Sequence, residues 1–208
     1  MKASKLFIIS VIIFMVVTAF TAADVCAQEK GRGNGFADRF AVKTNLLYDL
    51  LVTPNLGVEI ALDKDCKYSL AANWMYAWWN NDQIKWYHRV NGGDLGVRRW
   101  FGKKSQENRF TGLHAGVYGQ MLTYDFELGK RGYIAEKFSF AAGAEAGYSL
   151  PIGKRLNVDF TLGAGFMWGE YKEYLPMDDC YVWQATKLRR WIGPTKAEVQ
   201  LVWILGGR

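Results

Sequence analysis

The sequence predicts an all-β protein: an eight-stranded antiparallel up-and-down transmembrane β-barrel. Three observations carry this expectation. Apolar and polar residues alternate with period two through eight segments between residues 40 and 206, as strands with two unlike faces require. The 208 residues include 9 Trp, 11 Tyr and 22 Gly against 4 Pro, a composition that suits a closed sheet with aromatic girdles and close strand packing. Charged residues inside the segments, Arg99 apart, fall on the face opposite the apolar one, which is sensible if the apolar face meets lipid and the ionic face is shut inside.

The segments justify this in order. In the first, Phe40, Val42, Thr44, Leu46, Tyr48 and Leu50 share one face, with Ala41, Lys43, Asn45, Leu47 and Asp49 on the other. After a turn at Thr53-Pro54, Leu56, Val58, Ile60 and Leu62 oppose Asn55, Gly57, Glu59 and Ala61. The third sets Tyr68, Leu70, Ala72, Trp74, Tyr76 and Trp78 outside and Ser69, Ala71, Asn73 and Ala77 inside. The fourth opposes Leu95, Val97 and Phe101 to Asp94, Gly96 and Arg98, with Arg99 on the apolar side. Arg99 is expected either to snorkel at the interface or to mark a bulge.

The fifth segment sets Leu113, Ala115, Val117 and Met121 against His114, Gly116, Tyr118 and Gln120. The sixth sets Phe138, Phe140, Ala142, Ala144, Ala146 and Tyr148 against Ser139, Gly143, Glu145 and Gly147. The seventh runs Leu156, Val158, Phe160, Leu162, Ala164, Phe166 and Trp168 against Asn157, Asp159, Thr161, Gly163 and Gly165. The eighth runs Ala197, Val199, Leu201, Trp203 and Leu205 against Lys196, Glu198 and Gln200. Connections at 63–67, 102–108 and 151–154 are short or polar; those at 80–91, 125–136 and 171–194 read as long loops at the opposite end. The first connection at that end, 51–55, is short.

Residues 1–27 read as a signal peptide. Lys2 and Lys5 precede a run of about 15 apolar residues from Leu6 to Phe20, and Val25-Cys26-Ala27 fits cleavage before Gln28. A membrane anchor needs about 20 such residues, and Asp24-Val25 suits a lipoprotein acylated at Cys26 poorly. Residues 28–38 read as a flexible lead-in and 39–208 as the barrel. Two cysteines remain in the exported chain, Cys66 and Cys180, expected as free thiols at opposite ends of a barrel roughly 25 Å tall.

The formal charge is +6, from 26 basic and 20 acidic side chains; removing Lys2, Lys5 and Asp24 leaves 24 − 19, or +5. The basic residues are dispersed and form no nucleic-acid reading motif. There is no HExxH, CxxC pair, phosphate loop or GxSxG, so no cofactor, metal site or catalytic residue is expected. Lys43, Glu59, Arg98, Glu145, Asp159, Lys196 and Glu198 all fall on the inner face. Buried charges are costly unless paired, so these are expected to form one lumen charge network. A narrow ion path is the alternative to a solid plug, but eight strands leave no room for a porin channel. His114 is expected as a hydrogen-bonded interior histidine. His88 lies at a loop edge, where an outer-rim histidine with a serine partner would suit a lipid A-modifying enzyme. A secreted lipocalin-like carrier is the other alternative.

The stretch 171–194 is the candidate surface-binding loop. Tyr174, Tyr181, Trp183 and Trp191 with Lys187, Arg189 and Arg190 combine the aromatic and basic side chains that anchor interfaces. The basic residues also suit lipopolysaccharide phosphates.

The motifs Lys43-Thr44-Asn45-Leu46-Leu47-Tyr48-Asp49 and Thr53-Pro54-Asn55-Leu56-Gly57-Val58-Glu59 resemble the opening hairpin of a Bacteroidetes outer-membrane β-barrel family known only as a domain of unknown function. The resemblance covers residues 40–208. It implies an eight-stranded barrel in a Gram-negative outer membrane, in contact with membrane lipid and lipopolysaccharide. It implies no activity or catalytic residue. The family's association with fimbrial or surface-assembly gene clusters suggests a structural or anchoring role beside a surface or fimbrial protein partner.

Overall fold

A computed structural model describes residues 39–63, 65–81, 86–102, 109–128, 131–177 and 180–206. The expected signal peptide and lead-in lie outside the described residues. Eight strands follow one another: β1 (Phe40–Asn45), β2 (Asn55–Ala61), β3 (Tyr68–Asn81), β4 (Trp86–Trp100), β5 (Gly112–Leu128), β6 (Arg131–Pro151), β7 (Leu156–Met177) and β8 (Cys180–Ile204). A single turn of helix, α1 (Leu46–Leu50), sits between β1 and β2. Each strand pairs antiparallel with its sequence neighbour, and β1 pairs with β8 from Ala41↔Ile204 to Asn45↔Gln200, so one sheet closes on itself. No described helix is long and apolar enough to cross a membrane.

The inside–outside assignment follows the sequence alternation. Lys43, Glu59, Arg98, His114, Glu145, Asp159, Lys196 and Glu198 are all buried, while Leu56, Trp74, Leu95, Val117, Phe160 and Leu162 on the intervening positions are exposed. Arg99 needs no bulge: the β3–β4 and β4–β5 registers run unbroken through Tyr68↔Arg99↔Ala115. Its guanidinium lies 5.9 Å from the Tyr68 ring centre and 5.3 Å from that of Phe101. The long stem reaches the polar edge of the apolar wall and rests there on aromatic faces.

Two expectations are corrected. The first strand does not run to Leu50. It stops at Asn45, whose side chain accepts a hydrogen bond from the Leu47 N–H at 3.1 Å and caps α1, as asparagine does readily. Leu46, Tyr48 and Leu50 therefore leave the outer wall. The stretches read as long loops are mostly strand: β3 and β4 extend to Asn81 and from Trp86, β5 and β6 to Leu128 and from Arg131, β7 and β8 to Met177 and from Cys180. Above the apolar wall both faces of these ribbons are polar or mixed, which erases the period-two signal without removing the ladder hydrogen bonds.

One end of the interior is filled by apolar side chains. Ala41, Ala61, Cys66, Trp100, Phe110, Val202 and Ile204 pack together there. Asn157 Nδ2 donates to the Phe110 carbonyl at 2.8 Å and holds that turn across the ring. Cys66 is a free, buried thiol in this plug, as expected; the side chain of Cys180 lies outside the described residues.

Candidate functional site

Seven side chains on six strands were expected to meet inside, and all seven do. Arg98 on β4 is the hub. Its Nε lies 2.5 Å from Glu145 Oε1, Nη1 lies 3.1 Å from Asp159 and 3.3 Å from Glu59, and Nη2 lies 3.5 Å from Glu198. Lys43 hydrogen-bonds Glu59 and lies 3.8 Å from Asp159. Lys196 lies 2.9 Å from Glu145 and 3.5 Å from Glu198. The forked, permanently charged guanidinium suits a site shared by four carboxylates, where an ammonium would reach fewer.

Other residues complete the network that the sequence reading left outside it. Asp94 receives Lys196 at 2.7 Å and the Asn73 amide at 3.1 Å. His114 Nε2 lies 2.8 Å from Asp159 Oδ1, joining the expected interior histidine to the network. Ser69 hydrogen-bonds Glu59, and Gln200 Nε2 donates to Glu198 at 2.9 Å. The signal for Asp94 was present, since it lies on the inner face of the fourth segment with Arg98. Counting side chains, five carboxylates (Glu59, Asp94, Glu145, Asp159, Glu198) face three permanent cations (Lys43, Arg98, Lys196). Gly163 is packed so closely that an added Cβ would meet Tyr118 Cε1 at 2.7 Å and Lys196 Cβ at 2.9 Å. A recess of about 610 Å³ is lined chiefly by outer-wall residues such as Trp74, Met121, Phe140 and Trp168, around Gly119. Among the described residues, no group of His, Cys, Asp or Glu is arranged to hold a metal ion.

The candidate binding residues at 171–194 divide. Tyr174 is buried and donates its hydroxyl to Asp125 at 2.7 Å. Lys187 pairs with Glu173 at 2.8 Å. Arg189 is turned inward over the Tyr171 ring at 4.7 Å and the Tyr124 ring at 5.5 Å. Trp183, Arg190 and Trp191 are exposed, and the side chain of Tyr181 lies outside the described residues. These residues sit on a β-ribbon, not on a loop. Arg189 thereby meets an aromatic layer carried by β4 and β5, where Phe126 stacks on Tyr124 at 5.5 Å and meets His88 at 5.0 Å. His88 lies on β4 itself, with Nε2 3.0 Å from Thr53 Oγ1.

Burial keeps the Cys66 thiol protonated far above its ordinary range, pushed up to about 12, with the Glu59 and Asp63 carboxylates adding to the effect.

The fold and its interior define a class: a closed eight-stranded antiparallel sheet, apolar outside and ionic within. A family model matches residues 11–205, and the chain belongs to that family, described as proteins of unknown function (DUF3575). No curated protein and no solved structure matches the chain.

Proposed function

We propose that the protein is a non-enzymatic β-barrel of a Gram-negative outer membrane, acting as an anchor or adaptor for a cell-surface assembly, with a fimbrial protein as one such partner. The observation that carries this reading is the reversal of polarity across the sheet. The outer side of β7 is apolar from Leu156 to Trp168 and then turns charged at Glu170. Charges appear at the same border on neighbouring strands, where Lys137 meets Glu170 at 3.4 Å and Lys172 meets Glu136 at 2.7 Å. Thirteen residues at roughly 3.3 Å each, tilted by about 40°, rise roughly 30 Å, close to the apolar band of such barrels. A soluble carrier would put its apolar face inward; here the inner face holds the ion network.

A lipid A-modifying activity has weaker support. The hydroxyl beside His88 is that of Thr53, a secondary alcohol where such an enzyme would use a serine. Lipid A profiles from cells carrying His88→Ala and His114→Ala test it, and a change in acylation would favour the enzyme.

The anchor reading is tested by a spin label at Leu162, which is 72% exposed, in the full chain refolded into phospholipid vesicles. Accessibility to oxygen above that to a water-soluble nickel complex is expected. The reverse, or release from cells into buffer without detergent, would overturn the reading.

A further inference from the structure

Among the described residues, β8 leaves a long edge of the closed sheet unpaired. β1 is 6 residues long and β8 is 25. Their ladder stops at Asn45↔Gln200, because α1 turns the chain away there. From Val199 toward Cys180, β8 is paired with β7 alone among the described residues. Across the gap, the last main-chain bond between the β1–β2 connection and β3 among the described residues is Tyr76 N–H to the Pro54 carbonyl at 3.0 Å, and the Trp79 indole N–H beyond it donates to the Val52 carbonyl at 2.6 Å.

The direction of the free hydrogen-bonding groups follows from one residue. Pro194 faces Ala164 in the ladder. Proline has no N–H, so this pair is not hydrogen-bonded across the ladder. Pairs of that kind recur at every second residue, and the register is unbroken from Ala164↔Pro194 to Glu173↔Ala185. Ile192, Arg190, Leu188 and Thr186 therefore turn their N–H and C=O groups away from β7, toward the open side. Ile192 and Leu188 are 80% and 72% exposed. An edge of this kind is a template for another strand.

The edge is also charged. From Cys180 to Ala197 the chain has no acidic residue; of its basic residues Lys187 pairs with Glu173, Arg189 turns inward over Tyr171 and Lys196 lies in the lumen network, while Arg190 is exposed on the outer side. Pro194 shortens the usable edge on the side of the ring.

We infer that β8 accepts, along Thr186–Ile192, an extended acidic segment of a partner protein as a ninth, antiparallel strand, an inference that rests on the adaptor reading above. Main-chain bonds to Thr186, Leu188, Arg190 and Ile192 would supply affinity, and Arg190 would select a carboxylate between two apolar side chains on the added strand.

The test uses the full chain in lipid nanodiscs, with a synthetic peptide of alternating Glu and Val as the probe. Its controls are the Gln-for-Glu peptide and a peptide N-methylated at alternate residues. Hydrogen exchange is expected to slow at least tenfold at Leu188, Arg190 and Ile192 with the acidic peptide. At least tenfold weaker binding is expected with the Gln peptide and with Arg190→Glu, and none with the methylated one. Ile192→Pro should leave the closed sheet intact, judged by unchanged heat-modifiable gel migration, and abolish the protection. Slow exchange at these amides before peptide is added, concentration-dependent protection without peptide, or equal binding of the methylated peptide would each overturn strand addition. The Leu162 spin label is read in the same samples. A lipid-facing label with no peptide protection sinks strand addition alone; a water-facing label sinks the membrane reading.

Discussion

Arg98 and Glu145 stand on strands that are not neighbours, yet Nε and Oε1 are 2.5 Å apart and both side chains are sealed from solvent. The contact bridges over β5, from β4 to β6, and Arg98 Nη2, 3.5 Å from Glu198 on β8, reaches the opposite wall. Removing the cation leaves Glu59, Glu145, Asp159 and Glu198 without their common partner. Breaking a buried ion pair from one side costs about 3–5 kcal/mol. Arg98→Met is expected to lower the urea midpoint of the refolded protein accordingly. Arg98→Met combined with Glu145→Met should recover part of the loss, since a matched apolar pair leaves fewer buried charges. A double variant no more stable than the single one would mean that the hub serves all four carboxylates equally.

Gly163 and Gly119 are expected to respond in opposite ways to one added methyl group. At Gly163 a Cβ would lie 2.7 Å from Tyr118 and 2.9 Å from the stem of Lys196, whereas at Gly119 nothing lies within 4 Å. Overpacking costs about 1–3 kcal/mol. Gly163→Ala should therefore destabilise by that amount and Gly119→Ala should be close to neutral, measured by the same urea titration. Equal effects would contradict the filled interior.

Cys66 is expected to resist thiol reagents in the folded protein. Thiolate is the reactive form, and burial pushes this thiol from 9.0 up to about 12. With Cys26 and Cys180 replaced by Ala, maleimide at pH 8 should label Cys66 only after denaturation. The sign for stability follows. The unfolded chain loses this proton near pH 9 and the folded one near 12, so the contribution is complete below pH 9 and falls away as pH rises between the two. Rapid labelling under native conditions would show that the Trp100–Phe110 plug opens.

Much of this arrangement is legible in the residues. A wall with lipid-type side chains on one face and ions on the other imposes period two on every strand that crosses it, and Lys43, Glu59, Arg98, Glu145, Asp159, Lys196 and Glu198 stand out as the charges on the wrong side for a soluble core. The same rule goes silent where the wall ends. Above Trp168 neither face of β7 or β8 is uniformly apolar, so Tyr171 to Pro194 looks like loop although its backbone bonds continue as sheet. Phe110 offers no pattern either, because it reaches the interior plug from a turn whose place depends on the Asn157 side chain. Tyr174 looks like an interface anchor until its hydroxyl is found on Asp125, a pairing between strands 49 residues apart in sequence.

Asn45 decides where β1 ends, and through that it creates the open edge of β8. Its Oδ1 accepts from the Leu47 N–H at 3.1 Å and from the Val199 N–H at 3.3 Å, so one side chain both starts α1 and closes the last rung beside β8. The Asn55 side chain supports it, accepting from the Asn45 N–H at 2.6 Å and donating to Asp49 at 2.9 Å. Loss of a helix cap costs about 1 kcal/mol, and a second lost bond at Val199 adds about as much. Asn45→Ala should therefore destabilise by about 2 kcal/mol and speed exchange of the Leu47 and Val199 amides. Asn45→Asp keeps the acceptor and should preserve both amides. If instead Asn45→Ala slowed exchange at Val199, β1 would have grown past residue 45, and α1 would be a consequence of the missing neighbour strand rather than its cause.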